Sequence, residues 1–599
     1  MKLRLLLVLV VAVALTFSGS TQAALRTVTL TGQQAPGAPA GSTFISLSHN
    51  VLPFLGPALN NAGHTAFSAS AGSMRGIWSD ASGSLSSVAI SDTQPPGAPV
   101  GALFGEFLNP LLNDAGRTGF YATMYGSAVT NAGFWSENSG GLNVVVRKGS
   151  LLPGVGAGVS VLTVFYPSMN DFGQPAFRAQ LTGAGVTTEN NVGIWAEKAG
   201  GLTLMARAGG QAPGMPAGVN YDSFPATPVL INEGGAIAFR GFLTGAGVTP
   251  ANDVAIWVDR SGALSLVARE GDAVPGVSGA NFSFIGDHAL NASGRVAFAG
   301  LMSGVPAASN SAIFSEGVGT LAVAARKGNA APGAAVGVNF NGFGSPLLND
   351  DGHVAFSATL IGAGVTTVND TGIWSQRGGA LNLVAREGSQ APGAPAGLNF
   401  STFANSVLNS ASQMAFTATL TGAGVTTAND GGIWVQGLGG DLRLMAREGG
   451  QLEVSSGVNR TIAELFFAGG VNNEDGRRSG FNDLGELAFL AKFTDGSSGI
   501  FVSDVAKASP GDFDGDADVD GADFLVWQRG VGLTDTGSPA NGDANADGNV
   551  DGADLTIWKS KFAAPPTAVV GAAVPEPGAA LLGVFALACV SCVWRSRPS

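Results

Sequence analysis

The residues most able to do chemistry lie near the C-terminal end. Asp512, Asp514, Asp516, Asp518, Asp520 and Asp523 occupy positions 1, 3, 5, 7, 9 and 12 of a twelve-residue loop. That spacing wraps oxygen donors around a hard cation: side chains at 1, 3 and 5, a backbone carbonyl at 7, usually a water at 9, and a carboxylate at 12. Asp543, Asn545, Asp547, Asn549, Asp551 and Asp554 repeat the pattern 31 residues later. Two Ca²⁺ sites are therefore expected. Between Pro510 and Ser560 eleven aspartates face only Arg529 and Lys559, so nine of the thirteen net negative charges sit in this segment. Carboxylates crowded into an empty loop repel one another, so calcium is expected to order residues 511–562.

Each loop leads into a run of helical character, Phe524-Leu525-Val526-Trp527 and Leu555-Thr556-Ile557-Trp558. Val519 and Val550, at position 8, are expected to pair the two loops through a short strand contact. A loop with only an exit helix, Asp at position 12 and a linked duplicate resembles a type I dockerin more than a full helix-loop-helix EF-hand pair. The resemblance covers Gly511 to Phe562 and implies calcium-dependent docking to a cohesin-like partner. Two departures matter. Ala517 stands at position 6, where Gly normally turns the loop, and a non-Gly residue at positive φ costs about 1 kcal/mol; the second site is expected to be the tighter. Gly521-Ala522 and Gly552-Ala553 replace the polar pair that cellulosomal dockerins show to cohesin, which weakens the implied partnership.

The elements that carry this module are read from a repeat. Residues 25–504 hold one pattern eight times, with a period of about sixty residues. Its first part is Asn-x-x-Gly-x-x-Ala-Phe, beginning at Asn60, Asn113, Asn170, Asn232, Asn291, Asn349, Asn409 and Asn482, with Gly119 in place of Ala and Ser412 in place of Gly. An aromatic residue follows in each unit: Trp78, Trp135, Trp195, Trp257, Phe314, Trp374, Trp434 and Phe501. Asn-x-x-Gly between apolar runs predicts a hairpin turn, and segments such as Val354–Ala358 and Gly372–Ser375 alternate with period two. About four short strands per unit fit one blade of a propeller.

The mature chain opens with Leu25–Thr31, which aligns with the last strand of a unit, Leu381–Glu387, whereas the eighth unit stops at Asp504 without one. Strand exchange would close a ring and remove exposed edges. The expected fold is thus mostly β: an eight-bladed β-propeller closed by the N-terminal strand, then a small α-helical calcium module. The repeat resembles the NxxGxxAF tandem-repeat family of exported bacterial proteins, which implies a location more than a chemistry.

Lys2 and Arg4 precede an apolar run, Leu5–Phe17, followed by Thr21 and Ala23 at the −3 and −1 sites of a signal-peptidase cut. Residues 1–23 are read as a signal peptide. At the other end Val574-Pro575-Glu576-Pro577-Gly578 leads into an apolar stretch, 579–594, closed by Arg595 and Arg597. A basic stop after an apolar segment marks a transmembrane helix with its tail in the cytoplasm. This order resembles the PEP-CTERM sorting signal, which implies processing by an exosortase and delivery to the cell envelope or extracellular matrix. The expected domains are then 25–504, a linker 505–510, the module 511–562, a linker 563–573 and the sorting signal 574–599.

Other chemistry is sparse. Cys589 and Cys592 lie inside the apolar tail and read as membrane filler. His64 and His353 share a register that other units fill with Arg117, Gln174 or Ala236, which reads as a solvated loop slot. No nucleophile elbow, Ser-His-Asp spacing or zinc motif appears, and no basic patch suits nucleic acid. The reading is a non-catalytic surface or matrix protein whose propeller displays loops for a glycan or matrix polymer. The alternative is a dockerin-bearing glycoside hydrolase or polysaccharide lyase, which should show paired carboxylates breaking the repeat register.

Overall fold

A computed structural model describes residues 25–47, 56–504 apart from 109, 127–130, 138–140, 261 and 472–474, and 511–562 apart from 514–518, 535–540 and 546–547. The chain divides into two compact units, Met1–Lys507 and Ala508–Ser599.

The first unit is an eight-bladed β-propeller of antiparallel sheets. Blade three shows the plan, with strands Val159–Met169, Pro175–Gly183, Val192–Lys198 and Gly201–Arg207 paired in that order. The two halves of the sequence repeat prove to be cross-strand partners. Phe67 sits opposite Trp78, Phe177 opposite Trp195, Phe298 opposite Phe314 and Phe489 opposite Phe501. Every one of these aromatic rings is at most 2% exposed. Each Phe–Trp pair packs on the preceding blade: Phe67 and Trp78 meet Leu490 and Ile500 of blade eight, and Phe120 and Trp135 meet Ile77 of blade one. The indole N–H has a fixed acceptor, the proline carbonyl in the loop entering its own blade; Trp78 donates to Pro36 at 3.0 Å and Trp434 to Pro392 at 3.0 Å. A buried indole needs such a partner, so the tryptophans are core pins.

The ring closes as the strand count requires. Blade eight takes Val458–Phe467, Leu487–Phe493 and Ser498–Ser503 from the C-terminal side and Leu25–Leu30 from the N-terminal side. Leu25 pairs with Ser503 and Leu30 with Gly499. Arg26, on the exchanged strand, forms an ion pair with Asp80 of blade one at 2.5 Å.

Each Asn-x-x-Gly turn joins the first strand of a blade to its second. The asparagine Oδ1 accepts the backbone N–H four residues on, as Asn60 does from His64 at 2.8 Å. The amide nitrogen reaches the next blade, so Asn60 donates to the Asn113 carbonyl at 3.0 Å and Asn232 to the Asn291 carbonyl at 2.9 Å. Eight such bonds form a closed circle through Asn60, Asn113, Asn170, Asn232, Asn291, Asn349, Asn409, Asn482 and back to Asn60. In the seventh unit Ser412 replaces the turn glycine and holds φ +59°, an unfavourable region for a side chain. Its hydroxyl accepts from Asn349 Nδ2 at 2.9 Å and lies 2.9 Å from His353 Nδ1, which offsets that strain. The His353 slot is thus tied into the ring and is not a freely solvated position.

Blade eight also carries an inserted segment, described over 468–471 and 475–480, whose backbone reaches across the propeller axis. Gly470–Val471 pairs in parallel with Val407–Leu408 of blade seven. Met169 of blade three donates to the Gly476 carbonyl at 2.9 Å, Ile231 of blade four to Asp475 at 3.0 Å, and Leu59 of blade one to Ser479 at 2.8 Å. One segment reaching four separate blades plugs the central channel.

In the second unit, helix α1 spans Gly521–Gly530 and α2 spans Gly552–Phe562. Trp527 Nε1 donates to the Asp551 carbonyl at 2.9 Å and Trp558 Nε1 to the Asp520 carbonyl at 3.0 Å, so each helix clamps the loop of the other. Phe524 lies 5.1 Å from Trp558, ring to ring. The expected Val519–Val550 pairing is replaced: Val550 exchanges both backbone bonds with the segment after α1, donating to Leu533 at 3.0 Å and accepting from Gly532 at 2.9 Å. That segment turns back beside the second loop and takes up both backbone groups of Val550. Among the described residues no helix is long and apolar enough to cross a membrane. The expected signal peptide, 1–23, and the expected membrane-spanning stretch, 579–594, lie outside the described residues.

Candidate functional site

The calcium loops come first because their donors have the clearest chemistry. Asp512, Asp523, Asp543 and Asp554, positions 1 and 12 of each loop, are buried to 4%, 0%, 2% and 0% exposure. Carboxylates gather in a loop interior only where their charge is compensated, which a hard divalent ion does. Backbone donors orient them. Asp523 accepts from Phe513 N at 2.6 Å through one oxygen and from Asp520 N at 2.7 Å through the other. Asp554 repeats this with Ala544 N at 2.8 Å and Asp551 N at 2.7 Å. Asp520 also caps α1, taking Ala522 N at 2.7 Å, and Asp551 takes Ala553 N at 2.7 Å.

Position 6 is described in the second loop only. Gly548 turns at φ +81° and donates to Asp543 Oδ2 at 2.9 Å. Asn545 is exposed and Asn549 half-buried. Asp514, Asp516, Asp518 and Asp547, together with Ala517, lie outside the described residues. Where described, the buried carboxylates and the glycine turn fit a calcium ion.

A second cluster went unseen in the sequence. The residue after the ring asparagine is acidic in five units: Asp114, Asp171, Glu233, Asp350 and Asp483. In Asp114, Asp171, Asp350 and Asp483 an oxygen accepts a backbone N–H from the preceding blade. Asp114 takes Asn61 N at 2.7 Å, Asp171 takes Asp114 N at 2.8 Å, and Asp483 takes Ser410 N at 2.8 Å. Burial, reinforced by neighbouring carboxylates, pushes Asp114 and Asp350 up to about 6 and Asp171 to about 7, and raises Glu233 as well. Asp483 acts on Asp114, Asp171, Glu233 and Asp350 alike, so the five acids face one another around one mouth of the channel. They keep the repeat register. In the loop that leads into the Trp434 strand, by contrast, the Asn429 amide is used internally: it accepts from Thr426 N at 2.8 Å and donates to the Gly424 carbonyl at 3.2 Å.

Two signals pointed to what was missed. The acid recurs at a fixed offset from Asn, and Asn409 to Asn482 spans 73 residues where the other intervals run from 53 to 62. The excess length is the plug.

The chain thus joins, in sequence, an eight-bladed propeller to a duplicated acidic-loop module. The chain belongs to the family of unknown function DUF7453, matched over residues 10–211 and 188–508, and residues 510–563 match the dockerin type I domain. No curated protein matches the chain. Among solved structures it is similar to an oligogalacturonate lyase in complex with manganese (9% identity, 68% of this chain and 98% of that one, TM-score 0.30). It is also similar to the acylaminoacyl peptidase of Pyrococcus horikoshii (10%, 73% and 57%, 0.32) and to puromycin hydrolase (12%, 78% and 62%, 0.34). The chain spans about three fifths of the latter two proteins. Scores this low say nothing of activity.

Proposed function

We propose that this is an exported, non-catalytic docking protein: the C-terminal module binds two Ca²⁺ ions and attaches to a cohesin-like partner, and the propeller displays loops to a glycan or matrix polymer. The observation that carries this reading is the dockerin match over 510–563 on loops that bury Asp512, Asp523, Asp543 and Asp554. Each loop would hold its ion through the donors named above, Asp512, Asp514, Asp516, Asp518, Asp520 and Asp523 in the first and Asp543, Asn545, Asp547, Asn549, Asp551 and Asp554 in the second. Calcium there would neutralise the loop and fix the helix that follows it. The acids around the channel mouth keep the repeat register, which supports display over hydrolysis. Delivery would use the signal peptide 1–23 and the sorting signal 574–599, with an exosortase as processing enzyme and the envelope or matrix as destination.

The test is binding of the full chain to immobilised type I cohesins in calcium and in chelator. Retention that needs calcium and is lost in an Asp523→Ala, Asp554→Ala double variant upholds the proposal. Calcium-independent retention, or none across a broad cohesin panel, rejects the docking role.

A further inference from the structure

The plug brings two arginines to the channel axis, and their surroundings treat them differently. Arg477 is fully matched. Its Nε and Nη2 donate to Asp475 Oδ2 at 2.9 and 2.5 Å, and Asp475 is 0% exposed. Arg240, on the wall from blade four, donates to the Ile285 carbonyl at 3.0 Å and pairs with Asp287 at 3.3 Å. His288 beside them is buried, and desolvation pushes it down to about 4, so it adds no charge near neutrality.

Among the described residues Arg478 meets no carboxylate. Its one hydrogen bond to them is a 3.5 Å contact from Nη1 to the Gly56 carbonyl, and its Nη2 is shielded from solvent with no acceptor among them. Burial alone pushes this guanidinium down to about 9. A buried charge without a partner is strongly destabilising, and a guanidinium stays protonated in proteins. The requirement is therefore for an anion.

On the plug side the strand residues next to the ring asparagines, Leu59, Met169, Ile231 and Leu408, are buried. Three positions before Met169 and Leu408 the wall is exposed, with Tyr166 at 54% and Asn405 also exposed, whereas Gly56, three before Leu59 and in contact with Arg478, is buried. Arg478 itself keeps part of its surface accessible. The acidic mouth acts on Arg478 too weakly to hold it, since desolvation is the sole influence upon it.

We infer that Arg478 anchors an anion site at the channel floor, on the side of the plug away from the asparagine ring, that takes a small oxyanion group: sulfate as a free ion, or a carboxylate at the end of a larger ligand. A planar guanidinium donates two parallel bonds to such a group. The site is independent of the calcium module and of the docking reading.

Thermal unfolding of the full chain, in chelator, is followed against sodium sulfate and against glucuronate, with sodium chloride at matched ionic strength as reference. Wild type should show a saturable rise in midpoint with at least one of the two, and Arg478→Leu should lose that saturable part, an affinity drop of about tenfold or more. The variant without added anion should be no less stable than wild type. Sulfate alone marks a bare-ion site and both anions an end-group site; either upholds the inference. A linear response to both, or equal saturation in the variant, overturns it. If the variant does not fold, bromide-soaked wild-type crystals decide the matter: an anomalous peak beside Arg478 is required, and its absence rejects the site.

Discussion

Asn482 donates its side-chain amide to the carbonyl of Asn60 at 3.0 Å, across 422 residues of sequence, and that bond completes the circle of eight around the propeller axis. Both residues are 0% exposed. Each ring asparagine spends its oxygen inside its own turn and its nitrogen on the next blade, so one side chain shapes the hairpin and fixes the blade-to-blade step.

Asn232→Ala should cost about 1–3 kcal/mol, because it strands the Asn291 carbonyl and the Ala236 N–H in a dry site. Asn232→Asp keeps the acceptor but sets a carboxylate oxygen against the Asn291 and Ala292 carbonyls beside the acidic mouth, so its cost at neutral pH should be larger. Urea unfolding midpoints for the two variants check the order.

The aromatic pins make a graded prediction. Trp374→Phe should cost less than about 1.5 kcal/mol, since blades five and eight already use Phe314 and Phe501 in that place. Trp374→Ala should cost about 3–5 kcal/mol through the cavity left against Phe340 and Phe356. Chemical denaturation of both variants measures the gap, and equal costs would show that ring volume is not what the site needs.

The acidic mouth predicts a pH dependence. Asp114, Asp171 and Asp350 bind a proton more tightly folded than unfolded, so their stabilisation is complete below about pH 4 and is lost as pH rises through about 6 to 7. His288 has the opposite sign: its folded value is depressed, and its contribution is lost as pH falls from about 6.5 to about 4. Between pH 8 and 6 the carboxyls should dominate, and the midpoint in chelator should rise as pH falls. Asp171→Asn keeps the acceptor for Asp114 N, should be more stable than wild type at pH 8, and should flatten that slope. A slope unchanged by the substitution would detach the effect from the mouth.

The calcium loops should be unequal. Titration calorimetry of the full chain should give two ions, the tighter one lost in Asp554→Ala. Ala517→Gly should tighten the weaker site by roughly fivefold, the equivalent of about 1 kcal/mol of relieved backbone strain. Equal affinities in wild type would mean that position 6 does not limit the first loop.

Much of this protein was legible in its residues. The twelve-residue loops, the eight repeats and the missing last strand are local patterns, set by which side chains carry oxygen and which positions alternate. They led to the calcium module, to the blade count and to the exchange of Leu25–Leu30 into blade eight. The aromatic after each turn read as core because it sits within an apolar strand, and its pairing with the motif phenylalanine bore that out.

What tertiary structure alone decided was who faces whom across the axis. Nothing local to Asn60 tells that its amide will reach Asn113, that five acids will converge on one mouth, or that Asp475–Ser479 will meet blades one, three and four with no carboxylate among the described residues beside Arg478. Val550 likewise met Gly532 and Leu533 because the segment after α1 turned back beside it. A sequence specifies strands through contacts between near neighbours, whereas an axis exists only once all eight blades have closed, and the charges gathered there belong to residues dozens to hundreds of positions apart.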